Sequence, residues 1–511
     1  MGVHRSRSRV RGGLSVALAL AACGDSAAVP RGEGTTSGGS TGEGSTTTTA
    51  GGTAGGPSSS EGTTSIVTTT AADESWGDPR LDVPPVGELE PGELRPGGDT
   101  TVDVFGAGAF VQEAANLGLE RRAAFEAGLQ FFQLPWEVAP STAEIDGLGP
   151  TFNAVSCLGC HVRNGRALAP TDERGSPGIL LRLADASGAP DPLLGGQLQP
   201  RSIPGVPLEG SVSWALEPAG SIALRGMTAE LQRIVPTIVP GGLGPVAKDT
   251  LVSPRLSMQL VGLGLLEAID AAQLEAWADP DDDDGDGISG RVARLGGGTI
   301  GRFGWKAAQP SVRSQVAAAF LGDLGITSAP YPDENCPSAQ TACAAAPSGG
   351  TPELTDVRLD VTAAYVRLLG VPARRAGDAE HVLRGKAVFH AVGCAACHRP
   401  SFTTGEAPEP ELEGQQIWPY SDLLLHDLGP ELAQGGPEGD ATASEWRTAP
   451  LWSLGLVETV NGGRRLLHDG RARTIAEAVV WHAGEAEASR AAYVALSPED
   501  RDALHAFVES L

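Results

Sequence analysis

SCLGCHVRNG at residues 156–165 sets two cysteines three apart, with a histidine directly after the second, and GCAACHRP at 393–400 repeats the arrangement. Four chemistries use such pairs: a zinc site drawing on both, a redox dithiol at the head of a helix, a strained disulfide across CxxC, and covalent haem attachment. Only the last requires the adjacent histidine. The two thiols, held on one helical turn, add to the vinyl groups of a porphyrin, and the next side chain faces the iron. Cys157, Cys160 and His161, and Cys394, Cys397 and His398, are therefore read as two c-type haem sites, so the expected cofactors are two covalently bound haem c groups.

The flanks of both motifs agree. RGKAVFHAVGCAACH sets Gly385 and Phe389 four apart, on one helical face, and EAGLQFFQLPW sets Gly128 and Phe132 likewise. Such a glycine allows a second helix close contact. Helical periodicity recurs in RSQVAAAFLGDLG, LTDVRLDVTAAYVRLLG and SPEDRDALHAFVESL, whereas strand patterns are few and short. The expected fold class is mainly α: two cytochrome c-like domains with long loops and inserts. GVPARRAGD at 370–378 interrupts two helices, which predicts an N-terminal haem domain over 99–372 and a C-terminal one over 373–511.

With 511 residues the chain holds two or three folded units, and 69 Gly and 38 Pro imply long irregular connections. A formal net charge of −26 excludes nucleic acid, whose phosphates it repels, and suits a cationic redox partner. MGVHRSRSRVRGG carries four arginines, and LSVALALAA after it is too short to span a bilayer. The run ends in LAAC, similar to a bacterial lipobox, which predicts a lipoprotein signal over 1–23 with Cys23 acylated; an ordinary signal peptide is the alternative. Gly, Ser and Thr dominate the next stretch, so 24–98 is expected to be a disordered tether. The expected location is the bacterial cell envelope, periplasmic or on the outer face, with the membrane reached through the lipid anchor only.

Cys336 and Cys343 in NCPSAQTAC are expected to close a disulfide in such an oxidising compartment. In DPDDDDGDGISGR, Asp282, Asp284 and Asp286 alternate and Gly287 comes next, as in the first half of a calcium loop. Position 12 of that register is Ala293 rather than Glu. This leaves a looser calcium site or a solvated acidic loop.

Beyond the two motifs, DGLGPTFNAVSCLGCHVRNGR, DPDDDDGDGISGRV, GRFGWKA, EWRTAPLWSLGL and LLHDGRARTIAEAVVWHAGEA resemble the bacterial di-haem oxidoreductase family labelled thiol oxidoreductase. More distantly the chain is similar to di-haem cytochrome c peroxidases and their MauG-type relatives. The resemblance implies a Trp between the haems and a Gln ten residues on in the peroxide pocket; these positions are Trp305 and Gln315. A core Trp and a surface Gln are the alternative. The family's acidic residue falls on Gly325, with Asp323 two residues away. The sixth ligand of the second haem, Met in peroxidases and Tyr in MauG, aligns with His482. A bis-His centre would have a potential below that of a His/Met one; a helix-face His bonded to Glu485 is the alternative. His426 and His468 match family residues near the same haem, with propionate or backbone hydrogen bonds as their expected roles.

No His lies between 162 and 380, and Met227 and Met258 are the two methionines there. They are candidates for the sixth position of the first haem, or for the core. An open position suits peroxide chemistry, which assigns the substrate site to the haem on His161. The expected function is a peroxidase-like di-haem oxidoreductase. Electrons from a redox partner protein or small donor would enter on the C-terminal side and be used on the N-terminal side. The alternatives are an electron carrier with two closed haems and, more remotely, a zinc-stabilised binding module.

Overall fold

Glycine decides where the helices cross. The computed structural model describes residues 87–142, 145–170 and 178–511. Six of its helices place the sites: α1 (Leu119–Gln133), α2 (Val312–Leu324), α3 (Asp356–Arg367), α4 (Glu380–Ala391), α5 (Ile475–Trp481) and α6 (Pro498–Ser510). Helix α1 packs on α3 with Gly128 at the contact, where a Cβ would stand 2.1 Å from the Val361 carbonyl oxygen. Helix α4 packs on α6 in the same way, and a Cβ on Gly385 would stand 1.9 Å from the Ala503 carbonyl oxygen. One turn on, the paired phenylalanines face the motif histidines: Phe132 lies 6.5 Å from the His161 ring and Phe389 lies 6.4 Å from the His398 ring. The same device is thus built twice, from the spacing that the sequence displays.

The mainly α class is not what the chain adopts: the described residues are 31% helix and 20% strand. The difference lies chiefly in the long insert of the first half. Strands β1 (Ile179–Ala184), β2 (Gly210–Leu224), β3 (Met227–Pro240) and β4 (Leu251–Leu256) form two antiparallel pairs, β1 with β4 and β2 with β3. In β3, Ala229 and Leu231 point inward with Glu230 outward between them, an alternation of period two. A two-residue turn joins the ribbon, with Gly226 at φ 80. A register shift at Pro218/Gly220 breaks the alternation, which is why the segment does not read as a long strand.

The two largest hydrophobic clusters of the core among the described residues both draw on segments either side of residue 372. Phe402, Leu412, Leu424 and Trp452 join the cluster around α1 and α3, whereas Phe110, Ala219 and Leu231 join the one around α4 and α6. The tether expected to run to residue 98 ends earlier than that. Residues from 87 onward are packed, and Glu93 is fully buried against Arg374 and Lys386. The signal segment, Cys23 and the rest of the tether lie outside the described residues. The expected disulfide is present, with Cys336 and Cys343 at a Cα separation of 5.7 Å. No described helix is long and apolar enough to cross a membrane.

Candidate active site with two CxxCH centres

Each motif folds as a tight turn that ends on its histidine. The His161 amide bonds the Cys157 carbonyl at 2.9 Å, and the His398 amide bonds the Cys394 carbonyl at 3.0 Å. Each ring is then held from behind by a peptide oxygen: His161 Nδ1 lies 2.8 Å from the Met258 carbonyl and His398 Nδ1 lies 2.9 Å from the Tyr420 carbonyl. No hydrogen-bond partner is found for either Nε2 among the described residues. Burial pushes both imidazoles down to about 4, so the neutral, metal-binding form prevails. A ring with Nδ1–H fixed on a carbonyl and Nε2 open is the arrangement of an axial ligand.

The thiols differ from those of a reactive dithiol. Burial pushes Cys157, Cys160 and Cys394 up to about 12, far from the depressed values of a reactive dithiol. All four cysteines are free, so neither pair is a disulfide. Among the described residues no group of metal donors joins the two pairs, as shared zinc would require.

Around the first motif opens a cavity of about 1150 Å³, lined by Cys157, Cys160 and His161 and by apolar side chains of α2 and α3. Three buried guanidiniums, those of Arg166, Arg255 and Arg447, also reach it, and burial pushes each down to about 10. Arg166 Nε has no partner among the described residues. Two thiols, one open ring nitrogen, apolar walls and buried cations, one of them with a free Nε, fit the vinyl groups, iron, ring and propionates of a haem.

Trp305 and Gln315 are brought together in this cavity. The Trp305 indole donates to the Leu256 carbonyl at 2.8 Å, and its ring also packs on the cluster around α4 and α6, so it stands between the two halves. Gln315 comes from the first turn of α2, whose start is capped by the Ser311 hydroxyl. Gly325 cannot supply the missing carboxylate. It ends α2 at φ 70, and a Cβ there would press on the Thr151 carbonyl oxygen at 2.7 Å. Asp323 does line the cavity, beside the two thiols, where it accepts from Gln197 Nε2 at 2.9 Å. Gln197 in turn donates to Asn153 Oδ1 at 2.6 Å. Sequence reading missed this Asn153–Gln197–Asp323 network, because Gln197 sits in the β-rich insert with no motif around it.

Neither methionine stands as an opposing ligand. Met227 is 44% exposed at the tip of the β2–β3 ribbon. Met258 lines the cavity, but its carbonyl grips His161 and its sulfur lies 3.6 Å from Arg447 Nη2.

The second motif has a different opposite side. His482 caps the end of α5, its Nδ1 lies 2.7 Å from the Ala478 carbonyl, and it is close enough to His398 for their charges to interact. No partner is found for its Nε2 among the described residues. Glu485 does not hold it, being occupied by His426, Ser289 and the Asp427 amide. His426 departs from its expected role. Both ring nitrogens face carboxylates, Asp422 at 2.9 Å and Glu485 at 2.7 Å, which hold the ring charged, well above its usual range, against the cost of burial. No donor remains for a propionate. His468 also finds a side chain, Gln434 Oε1 at 2.8 Å, and its ring stacks on Trp446 at 3.7 Å and meets Trp305 edge-on at 6.4 Å.

The acidic loop gathers carboxylates, but not the expected three. Oxygens of Asp279, Asp282 and Asp284 converge, whereas Asp286 turns to the Ile288 amide at 2.8 Å.

A family model described as "Di-haem oxidoreductase, putative peroxidase" matches residues 93–183 and 245–511. The gap between them contains the β2–β3 ribbon. No curated protein matches the chain. Among solved structures, hydrazine synthase of Kuenenia stuttgartiensis, pressurised with 20 bar xenon, matches 76% of this chain and 92% of its own, at 14% identity and a TM-score of 0.29.

Proposed function

The chain belongs to the di-haem oxidoreductase family, and from that premise we propose that it is a peroxidase-like c-type enzyme of the bacterial envelope. Its haems would be held covalently by Cys157 and Cys160 in the half 99–372 and by Cys394 and Cys397 in the half 373–511. The observation that carries this reading is the asymmetry of the two sites. His398 has His482 nearby with its Nε2 open, whereas among the described residues the cavity on His161 offers no second His and no free Met sulfur, but Gln315, Trp305, Asp323 and room. The first pattern suits electron transfer and the second suits a substrate.

Bound haem supplies the redox chemistry; the chain supplies position and polarity. His161 is fixed by the Met258 carbonyl, and Arg166, Arg255 and Arg447 would neutralise propionates. Gln315 offers a hydrogen bond to a small oxidant in the cavity. Trp305, between the halves, lies on the electron path from the C-terminal side. The donor is a cationic redox protein or a small reductant, favoured by the net charge of −26; nucleic acid is not a partner. Acylation of Cys23 holds the protein at a membrane, with contact through that anchor only.

Optical and EPR spectra of the holoprotein, oxidised and half-reduced, before and after hydrogen peroxide, test the reading together with peroxide turnover. One high-spin ferric haem that responds to peroxide is expected. Two low-spin haems unmoved by peroxide, with no turnover, would leave an electron carrier. Replacing Gln315 with Leu should lower kcat/KM for peroxide by about 10²–10³-fold, the usual loss on removing a preorganised polar group, with both haems retained. Unchanged kcat/KM would remove Gln315 from the pocket chemistry.

Within the same reading the acidic loop takes one calcium ion on Asp279, Asp282 and Asp284. Equilibrium dialysis should find one ion per chain with a Kd on the order of 10⁻⁴–10⁻³ M, as in extracellular modules. The Asp282→Asn/Asp284→Asn variant should bind none; equal binding by that variant places calcium elsewhere.

A further inference from the structure

Glu93 belongs to a segment whose composition reads as tether, yet none of its surface is exposed. One carboxylate oxygen accepts from the Tyr420 hydroxyl at 2.7 Å and from Arg374 Nη1. The other accepts from Lys386 Nζ at 2.8 Å and from the Glu90 amide at 3.0 Å. A buried carboxylate with both oxygens hydrogen-bonded rigidifies what it holds, and here it holds the Tyr420 ring, which is also boxed by Phe389 at 6.0 Å and Phe507 at 5.4 Å.

The Tyr420 backbone stands at φ 53, a region that bulky residues avoid. Such strain persists only where the surroundings over-determine it. What the strained backbone achieves is aim, since its carbonyl is the oxygen that meets His398 Nδ1 at 2.9 Å. The first site has no such anchor: His161 is held by the Met258 carbonyl, and Met258 carries no hydroxyl to tie down.

We propose that Glu93 is a positioning residue for the C-terminal haem: through the Tyr420 hydroxyl it fixes the carbonyl that receives His398 Nδ1–H, and so sets how strongly that imidazole donates to iron. The inference rests on the reading of His398 as an axial ligand. An outer acceptor held firmly on Nδ1–H raises the basicity of the ring. A more basic ligand favours the oxidised metal. Loosening the anchor therefore moves the potential of this haem upward and leaves the haem on His161 alone. Glu93 acts on one centre of the two and keeps their potentials apart.

Redox titration of the full-length holoprotein, followed optically, tests this with Tyr420→Phe and Glu93→Gln. Tyr420→Phe keeps the ring between its two phenylalanines and removes only the anchoring hydroxyl, so it remains informative if Glu93→Gln folds poorly. In each variant that folds, one wave should shift positive and the other should stay in place. The Cys157→Ala/Cys160→Ala background, which keeps only the second haem, identifies the wave that moves. Ser497→Ala, which removes the cap of α6, serves as a destabilised control with no expected shift. If Tyr420→Phe and Glu93→Gln lower the melting temperature but move neither wave, or if Ser497→Ala moves the same wave, Glu93 is a structural clamp and the inference is overturned. If pyridine haemochrome finds no haem on Cys394 and Cys397, the reading of His398 fails and the inference falls with it.

Discussion

The Cys394→Ala/Cys397→Ala chain should carry one covalent haem instead of two and reduce peroxide with its external donor at least about 10³-fold more slowly, a loss of ~4 kcal/mol of barrier lowering. The thiols are the permanent link. Without them a porphyrin is held only by an open imidazole nitrogen and by burial. The paired variant Cys157→Ala/Cys160→Ala should lose turnover to the same extent by a different route. It keeps the His398 site and still takes up electrons from the donor, but nothing remains in the His161 cavity to use them. Haem content after denaturation, stopped-flow reduction by the donor and peroxide turnover separate the two. If the first variant turns over at the wild-type rate, electrons do not enter on the C-terminal side, and the proposed division of labour is wrong.

What the sequence made legible is what chemistry or close packing fixes locally. CxxCH has one spacing with an adjacent histidine, so both motifs could be located without a structure. A helix crossing demands a residue without a side chain, so Gly128 and Gly385 could be read with the phenylalanines one turn on. The β-rich insert was less legible because the alternation in Met227–Pro240 ends in Ile234, Val235 and two prolines, and its partner strand is broken at Gly220. Glu93 was not legible at all. GELEPGELRPGG has the composition of a loop, and the partners that bury Glu93 lie 281, 293 and 327 residues further on. Asp279 was missed for a milder reason: it precedes the alternating run and reaches the carboxylate group by a turn, its Oδ1 taking the Asp283 amide at 3.0 Å.

A large loss of stability from a single methyl group is expected at Gly385. The Cβ of Gly385→Ala would stand 1.9 Å from the Ala503 carbonyl oxygen, 2.5 Å from its carbon and 2.8 Å from Phe507 Cβ. The obstacle is the backbone of α6, which cannot rotate away as a side-chain tip would. The two helices must separate or slide, and the overpacking should cost about 3 kcal/mol, the upper part of the usual range for added core volume. Gly128→Ala meets the Val361 carbonyl oxygen at 2.1 Å and Tyr365 Cβ at 2.6 Å, and it should cost a similar amount in the other helix pair. Gly296→Ala is the control. A Cβ there has nothing within 4 Å, so the change should be neutral or mildly stabilising by about 0.4–1 kcal/mol through the unfolded chain. Denaturant unfolding of the three variants decides it; a Gly385→Ala protein as stable as Gly296→Ala would mean that α4 and α6 do not approach this closely. The damage at Gly385 should also extend beyond stability. Phe507 lies on the displaced helix, and Phe507 packs on Tyr420, whose carbonyl seats His398. The C-terminal haem should therefore register the displaced helix in its spectrum, whereas Gly128→Ala, which presses on Tyr365 and through it on Phe132 beside His161, should register at the other haem.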